Sequence, residues 1–594
     1  FRLKAMPREV EKHFSKRRAQ IETVMAERGT TSAKAAELAA LDTRKAKEAA
    51  GATTLRAHWR EEALALGLTA QRLSDLRSER ASEPQAIDTA AVIEHISREH
   101  STFTAADLTR AVAEATQTAG GGLARIESTT TAIARDAEIV QLNEQRYTTR
   151  ALLEVEQAAI VRAKRLGDEA THSVDASATA AALKHRPLSD EQRAALDHLT
   201  RPARLAVLEG LAGTGKSHLL GAAREAWEAA GYEPRAAALA GKAAKGLSEG
   251  SGIRAQTLHS LLADLNSGRD RLNDRTVLVI DEAGMVGSRQ LARLMEEADR
   301  ARAKLVLVGD ANQLQPIEAG QLFERVGREV GAAHLTDIRR QRDERERAMV
   351  QALARGDTRA ALDSLQERGR LHAAADREGA MRELVRDWTV TRDARNPSED
   401  LMLGATRTDV RALNRLAREH LHEHGELRHE RLVETAAGPL ALAEGDRIVI
   451  TRNAKVLGMM NGDLATVTAL TERRGEVEIT AQLDAGRTRT WRVSEHPHVE
   501  HGYALTAHKA QGASVERAYV LAHESLSARE WSYVAGSRAR EAVHLYAERT
   551  TAADLERIMG RSHKKDTALD YVPSVPPPAM PPPAMTKTPV ALER

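Results

Sequence analysis

The chain has 594 residues, 42% hydrophobic and 29% charged, with a formal net charge of +2; this length allows about four domains, and a nucleic-acid surface would have to be a local basic groove rather than a global field. It contains no cysteine, which excludes disulfides, thiolate zinc sites and cysteine nucleophiles and leaves the compartment undecided. No apolar run reaches the roughly 18 residues of a membrane span, no secretory leader is visible, and an aromatic content of 3% leaves few base-stacking platforms.

Residues 1–80 are rich in Ala, Glu and Arg, and the spacing of Val10, Phe14, Ile21 and Val24 predicts helix. On its own this reads as a solvated helical scaffold. The sequence starts at Phe1 rather than Met, so a fragment is expected. A polar linker with Pro84 follows, then a helix over 89–100. Thr104 and Asp107 have the spacing of a capping box that opens a second helix. After Gly120-Gly121-Gly122, residues 138–142 and 146–149 read as a hairpin, and 150–166 as another helix. Residues 81–187 therefore read as a winged-helix-like accessory domain, or equally as a helical domain without DNA contact.

Gly210-Leu211-Ala212-Gly213-Thr214-Gly215-Lys216-Ser217 fits G-x-x-x-x-G-K-[ST], between an apolar run at 205–208 and a helical pattern at 218–230. In that strand–loop–helix setting the backbone N–H groups of Gly213, Thr214 and Gly215 face phosphate oxygens. Lys216 neutralises the β/γ-phosphates of ATP, and Ser217 ligates Mg²⁺. The apolar run 276–280 ends in Asp281 and Glu282; Asp281 is expected to hold Mg²⁺ through water and Glu282 to act as general base. Gln313 follows the run 304–308 and is expected to sense the γ-phosphate, while Gln192, upstream of the loop, is placed for adenine. With a further strand at 235–240, residues 188–334 read as a parallel α/β sheet with helices on both faces.

A second α/β region, 335–430 and 500–555, has strand candidates at 401–405, 502–506, 518–522 and 543–546. Between its parts, 446–451, 465–470, 476–480 and 488–493 are short strands with tight turns such as Asn461-Gly462-Asp463, which predicts a small antiparallel barrel over 431–499. Residues 556–594 form a tail with two Pro-Pro-Pro runs, read as disordered or polyproline. His420-Leu421-His422-Glu423-His424 spells a metal-binding pattern, but it continues the helical series Val410, Leu413, Leu416, Ala417 and stops at Gly425, a natural helix end. On a helix His422 points away from the other two rings, so no metal site is expected there.

Phe14 to Ile21 and Leu55-Arg56-Ala57-His58-Trp59-Arg60 resemble the segment after the nicking domain of conjugative relaxase–helicases of the TrwC/TraI type. From Leu188 to Arg549 the resemblance is to superfamily 1 helicases of the RecD-like branch. It is carried by the loop and acids above, Gly241-Lys242-Ala243-Ala244, Gln256-Thr257-Leu258-His259-Ser260, Leu335 to Gln341, Glu444-Gly445-Asp446-Arg447, Tyr503 to Gly512 and Tyr533 to Arg540. Gly536-Ser537 departs slightly from the family's sixth motif. The resemblance implies two RecA-like P-loop domains with an SH3-like insertion. It implies arginine fingers at Arg340 and Arg538, a nucleotide contact at Gly512, and a single-strand groove lined by Lys242, Thr257, His259, Thr506, His508 and Lys509. The implied function is an ATP- and Mg²⁺-dependent 5′→3′ DNA helicase, the motor part of a relaxase in plasmid transfer. It would act on the transferred single strand in the bacterial cytoplasm with a type IV secretion coupling protein. No nicking activity is expected, because no paired tyrosines stand near Phe1. A RecD-like repair helicase and an ATP-regulated single-strand-binding module remain the alternatives.

Overall fold

The computed structural model describes residues 52–69, 71–72, 85–316, 318–393, 396–473 and 475–572. The expected helix at Val10–Val24, the resemblance at Phe14–Ile21 and the Pro-rich runs of the tail lie outside these residues. A first helix, α1 (Ala52–Ala65), precedes the accessory region.

The accessory region contains the two predicted helices and the hairpin, α2 (Thr89–Glu99), α3 (Ala105–Ala119), β1 (Ile139–Gln141) and β2 (Tyr147–Thr149), with a helix that was not predicted, α4 (Leu123–Ala134), between them. The Thr104–Asp107 capping box forms in both directions. Val92, Ile96, Phe103, Leu108, Val112 and Ile133 make its core. The next helix, α5 (Arg150–Asp168), turns Ala159, Ile160, Ala163 and Leu166 into the core of the following domain. Two contacts from that domain fix the accessory region to it: the Arg289 guanidinium donates to the Ser97 carbonyl at 2.7 Å and the Ala319 N–H to the Arg98 carbonyl at 2.8 Å.

Lobe 1 follows α6 (Asp190–Thr200) and holds six parallel strands in the order β5-β4-β6-β7-β3-β8. They are β3 (Leu205–Gly210), β4 (Glu233–Ala238), β5 (Arg254–Thr257), β6 (Thr276–Asp281), β7 (Lys304–Gly309) and β8 (Ala332–Leu335). The central strands are near-continuous apolar runs because helices cover both faces. The four predicted strands are present, with β4 starting two residues earlier than its apolar run; the edge strands β5 and β8 were not predicted. Lobe 2 is a five-stranded parallel sheet in the order β18-β10-β19-β20-β9. Its strands are β9 (Leu371–Ala374), β10 (Asp400–Gly404), β18 (Ala504–Thr506), β19 (Val515–Leu521) and β20 (Ala539–Glu548).

The insertion runs from β11 (Arg428–Thr435) to β17 (Val499–His501), slightly longer than 431–499. It pairs antiparallel in the order β16-β15-β14-β13-β17, with the hairpin β11–β12 (Gly438–Glu444) as a separate two-stranded sheet. The other strands are β13 (Arg447–Ile450), β14 (Leu464–Arg473), β15 (Glu476–Leu483) and β16 (Thr488–Arg492). Ile448, Ile450, Val467, Ile479 and Trp491 fill it. The four predicted strands are present as β13 to β16, whereas β11, β12 and β17 were not predicted; among the described residues the β16 and β17 edges do not pair with each other, so the ladder does not close into a barrel.

Residues 561–572 leave lobe 2 and run back across the molecule as a strap. Glu530 of lobe 2 accepts from the Ser562 hydroxyl and, at 3.0 Å, from the His563 N–H. The Lys565 N–H donates to Gln315 of lobe 1, and its ammonium to the Glu99 and Glu318 carbonyls. The Thr102 hydroxyl donates to Asp566 at 2.7 Å, and the Ala568 N–H to Glu156 at 2.8 Å. Glu156, on α5, is fully buried and also accepts from the Ser101 and Ser288 hydroxyls at 2.6 and 2.8 Å. Burial raises its pKa above the ordinary 4.5, outweighing these hydrogen bonds.

Because folding raises this pKa, its contribution to stability is fully present below the ordinary value and is lost as pH rises through the folded one. Glu156→Gln is expected to flatten the fall in unfolding midpoint as pH rises from 4.5. Thermal unfolding of both proteins across that window checks this; identical pH slopes would contradict it.

Candidate nucleotide site and single-strand groove

The phosphate-binding loop leaves the C-terminal end of β3, between β7 and the edge strand β8 of the lobe 1 sheet, and enters α7 (Lys216–Ala229). Gly213 and Gly215 have φ of 87° and 82°, the left-handed turns the motif's glycines permit. The Lys216 ammonium donates to the Gly210 and Leu211 carbonyls at 2.7 and 3.1 Å, and the Thr214 hydroxyl to Leu211 O at 2.9 Å. Ser217 stands in the first turn of α7. Gln192 is buried and braces this loop: its amide N–H donates to Thr214 O at 3.0 Å, while its carbonyl oxygen accepts from Ser189 N–H. It therefore supports the loop as well as standing beside it.

Asp281 ends β6, and Glu282 has φ 54°, ψ 35°. This left-handed backbone in a residue other than glycine breaks the strand's alternation, and such local strain gathers at functional sites. The Asp281 carboxylate accepts from the Glu282 N–H at 2.9 Å. Burial, and then the Asp281 charge, raise the Glu282 pKa; Lys216 of the loop and Arg538 of lobe 2 oppose that, which shows how closely these groups converge. Ser217 and Asp281 supply hard oxygen donors, the chemistry Mg²⁺ selects.

Lobe 2 closes over this edge. The N–H groups of Arg339 and Arg340 donate to Gly213 O at 2.8 and 3.1 Å, and the Arg340 side chain lies so close that a Cβ on Gly213 would come within 2.6 Å of its own Cβ. Arg340 donates to Ser537 O at 2.8 Å. Arg538, just beyond α10 (Arg529–Gly536), is 2% exposed and donates to Val534 O and Ser537 Oγ, each at 2.8 Å. Both guanidiniums are held by carbonyl and hydroxyl oxygens, and burial works against the charge of each. Gln313 is buried and donates to Asp310 Oδ2 at 3.2 Å, while its own carbonyl accepts from Gln511 of lobe 2 at 3.1 Å. Gly512 follows in an exposed turn at φ 78°.

The residues expected to line a single-strand groove sit at or near the β5 edge of lobe 1 and the β18 edge of lobe 2. Thr257 ends β5 and caps the next helix by accepting from Ser260 N–H at 3.2 Å, which leaves His259 exposed. Thr506 ends β18, the edge strand of lobe 2, and likewise accepts from Lys509 N–H at 3.3 Å; His508 is exposed. Lys242 lies at the start of α8 (Gly241–Ser251). A Cβ on Gly462, in the insertion's Asn461-Gly462-Asp463 turn, would lie 3.9 Å from Lys242 Cδ and 4.0 Å from Lys509 O. One turn therefore spans the residues contributed by the two lobes.

Phosphate contacts set single-strand affinity through counterion release, with about 0.7 in log–log salt slope per phosphate. Lys242→Ala and Lys509→Ala are each expected to weaken binding equally for all sequences and to flatten the slope by about that amount. Fluorescence titrations at several salt concentrations check this, and an unchanged slope would place that lysine outside the groove.

The histidine run lies on the helix α9 (Arg407–Glu423), as predicted, and the His420 and His424 rings stack at 4.0 Å with Gly425 left-handed beyond the end. Among the described residues, the group close enough to hold a metal is His372, Glu383 and Asp387. There Arg386 and the Tyr546 hydroxyl already donate to the Asp387 carboxylate. Sequence reasoning gave no role to Asp310, Gln511 or Tyr533, whose significance comes from contacts across the lobes.

A phosphate-binding loop, paired acids and a second lobe contributing two arginines to the same edge define a two-lobed P-loop ATPase. The family model described as AAA domain matches residues 187–376 and that described as TrwC relaxase matches residues 1–66. The RecBCD enzyme subunit RecD of Mycolicibacterium smegmatis is 31% identical over 62% of this chain and 73% of its own length. The chain belongs to the RecD-like helicases. The conjugal transfer protein TraA of Agrobacterium fabrum is 40% identical over 72% of this chain, which spans 39% of that protein. A solved structure of Pif1 helicase from Bacteroides, with ADP-AlF3 and single-stranded DNA, aligns over 62% of this chain at 21% identity and a TM-score of 0.43.

Proposed function

We propose that the chain is the motor part of a conjugative relaxase–helicase, an ATP-driven 5′→3′ translocase on single-stranded DNA. The observation that carries the motor reading is the meeting of Lys216 and Glu282 of lobe 1 with Arg340 and Arg538 of lobe 2 at one edge. In this reading the two lobes close on ATP, and the arginines stabilise charge on the γ-phosphate in the transition state. Ser217 and Asp281 would hold Mg²⁺, which would supply neutralisation of phosphate charge. Glu282 takes the proton of the attacking water, and Gln192 uses its remaining amide hydrogen for adenine. Gln313, joined to Gln511, reports the γ-phosphate to lobe 2, and Gly512 lets the following turn approach the nucleotide. Lys242, Thr257, His259, Thr506, His508 and Lys509 grip the strand in turn as the lobes move.

The match of residues 1–66 to the TrwC relaxase model, together with the likeness to TraA, favours a role in conjugation over DNA repair. The DNA would then be the transferred plasmid strand, and the partner a type IV secretion coupling protein at the cytoplasmic end of the channel. Among the described residues no helix is long and apolar enough to cross a membrane. Unwinding of tailed duplexes with ATP tests the proposal: 5′-tailed substrates are expected to open and 3′-tailed ones to stay paired. Equal unwinding of both would overturn the polarity, and turnover indifferent to single-stranded DNA would overturn the motor reading.

A further inference from the structure

We propose that Tyr533 is a positioning residue of the ATPase, a latch through which lobe 2 sets the shape of the phosphate-binding loop. The inference rests on the motor reading above. Tyr533 lies on α10 and is fully buried. Its hydroxyl accepts from the Ala212 N–H, inside the phosphate-binding loop, at 2.7 Å, and donates to Asp310 Oδ2, at the end of β7, at 2.7 Å. Donor and acceptor capacity are thus both used across the lobe boundary, one on each of the two lobe 1 segments that flank the nucleotide.

Each partner leads to a residue of the reaction. Ala212 is four residues before Lys216 and adjoins Gly213, whose carbonyl holds Arg339 and Arg340. Asp310 accepts from Gln313, the γ-phosphate sensor, and from the Asn312 N–H at 3.1 Å. Arg538 is five residues beyond Tyr533, and its neighbour Ser537 accepts from Arg340. A shift of α10 therefore moves a finger, the loop and the sensor together, which is what coupling of lobe closure to hydrolysis requires. Burial, and then the Asp310 charge, hold the phenol's pKa well above its ordinary 10.0, so the hydroxyl keeps the proton it donates. Apolar contacts alone do not fix this geometry: Ala212 and Leu314 of lobe 1 share a core with Val534 and Ala535 of α10, but such packing tolerates sliding that a pair of short hydrogen bonds does not.

Tyr533→Phe removes one oxygen and keeps the buried ring. Steady-state ATP turnover with saturating single-stranded DNA is expected to fall at least about tenfold in kcat, with KM for ATP changed less than about threefold and nucleotide-free DNA affinity unchanged. Tyr519→Phe is the control. Tyr519 is a fully buried phenol of the same lobe whose hydroxyl bonds Thr391 and Asp400, in the lobe's own interior. It should lower the unfolding midpoint without lowering kcat per folded molecule. In a cycle with Asp310→Ala, the Tyr533→Phe loss should be smaller in the Asp310→Ala background than in the wild type, because Asp310→Ala already breaks one of the hydroxyl's two links. Wild-type kcat in Tyr533→Phe, equal losses in the two phenylalanine variants, or additive losses in the cycle would each overturn the proposal. Lys216→Ala separates this failure from that of the motor reading: if it retains DNA-stimulated turnover the motor reading itself falls, whereas a dead Lys216→Ala beside a fully active Tyr533→Phe removes only the latch.

Discussion

Arg538→Ala is expected to lose ATP turnover by about 10³-fold or more while binding nucleotide and single-stranded DNA almost normally, since an arginine finger contributes on the order of 10³–10⁵. The guanidinium is 2% exposed, and its hydrogen bonds run to Val534 O, Ser537 Oγ and Ala513 O. Among the described residues no carboxylate is hydrogen-bonded to it, so its removal strands no buried anion in a bonded pair. Its attraction to Glu282 brings the charge to the proposed general base. Arg538→Lys keeps a positive charge but not the planar fork, and should recover only part of the rate. Nucleotide affinity measured beside steady-state turnover for the three proteins is the check. Wild-type turnover in Arg538→Ala would end the two-lobe mechanism.

Glu282→Gln is expected to reduce turnover by about 10²–10⁴-fold, the usual worth of a positioned general base. Asp281 stays in place, so nucleotide affinity should hold, unlike in Lys216→Ala, where binding and hydrolysis fail together. The same substitution should not lower thermal stability and should raise it near neutral pH. Burial and the adjoining Asp281 charge both oppose the Glu282 anion, and an amide of the same shape removes that repulsion. A variant that is inactive and at least as stable is the signature of a residue kept for chemistry. Wild-type turnover would assign the base elsewhere, and a clear loss of stability would contradict the electrostatic account.

The parts of the site that chemistry fixes to residue type were legible in the sequence. A loop that must turn left-handed twice needs Gly213 and Gly215, and acids at the end of a buried strand can be read from the apolar run Val277–Ile280. The helical period also placed the histidine run on a helix, as the structure has it. What could not be read was created by distance in sequence and nearness in space. Tyr533 is one of seven tyrosines, and nothing local marks it as the partner of Ala212 and Asp310, more than 200 residues away. Gln192 carried a signal for nucleotide contact, but not that its amide holds Thr214. The edge strands β5, β8 and β9 are four residues each, too short for a periodic signal, and they form because a neighbouring strand offers hydrogen bonds. The extra strands of the insertion escaped for a related reason: in β11 a charged run, Arg428-His429-Glu430-Arg431, conceals a strand with one buried position.

The strap from lobe 2 also acts as a leash of fixed length. From His563, held by Glu530, to Ala568, held by Glu156, there are five residues, which at full extension reach only about 17–18 Å. Any opening of the lobes that asks for more must release, after the nearer Lys565 contacts to Gln315 and Glu318, the N–H of Ala568 from a buried carboxylate or that of His563 from Glu530. The excursion of one lobe relative to the other therefore has a built-in stop, set by the chain's own contour between two anchors.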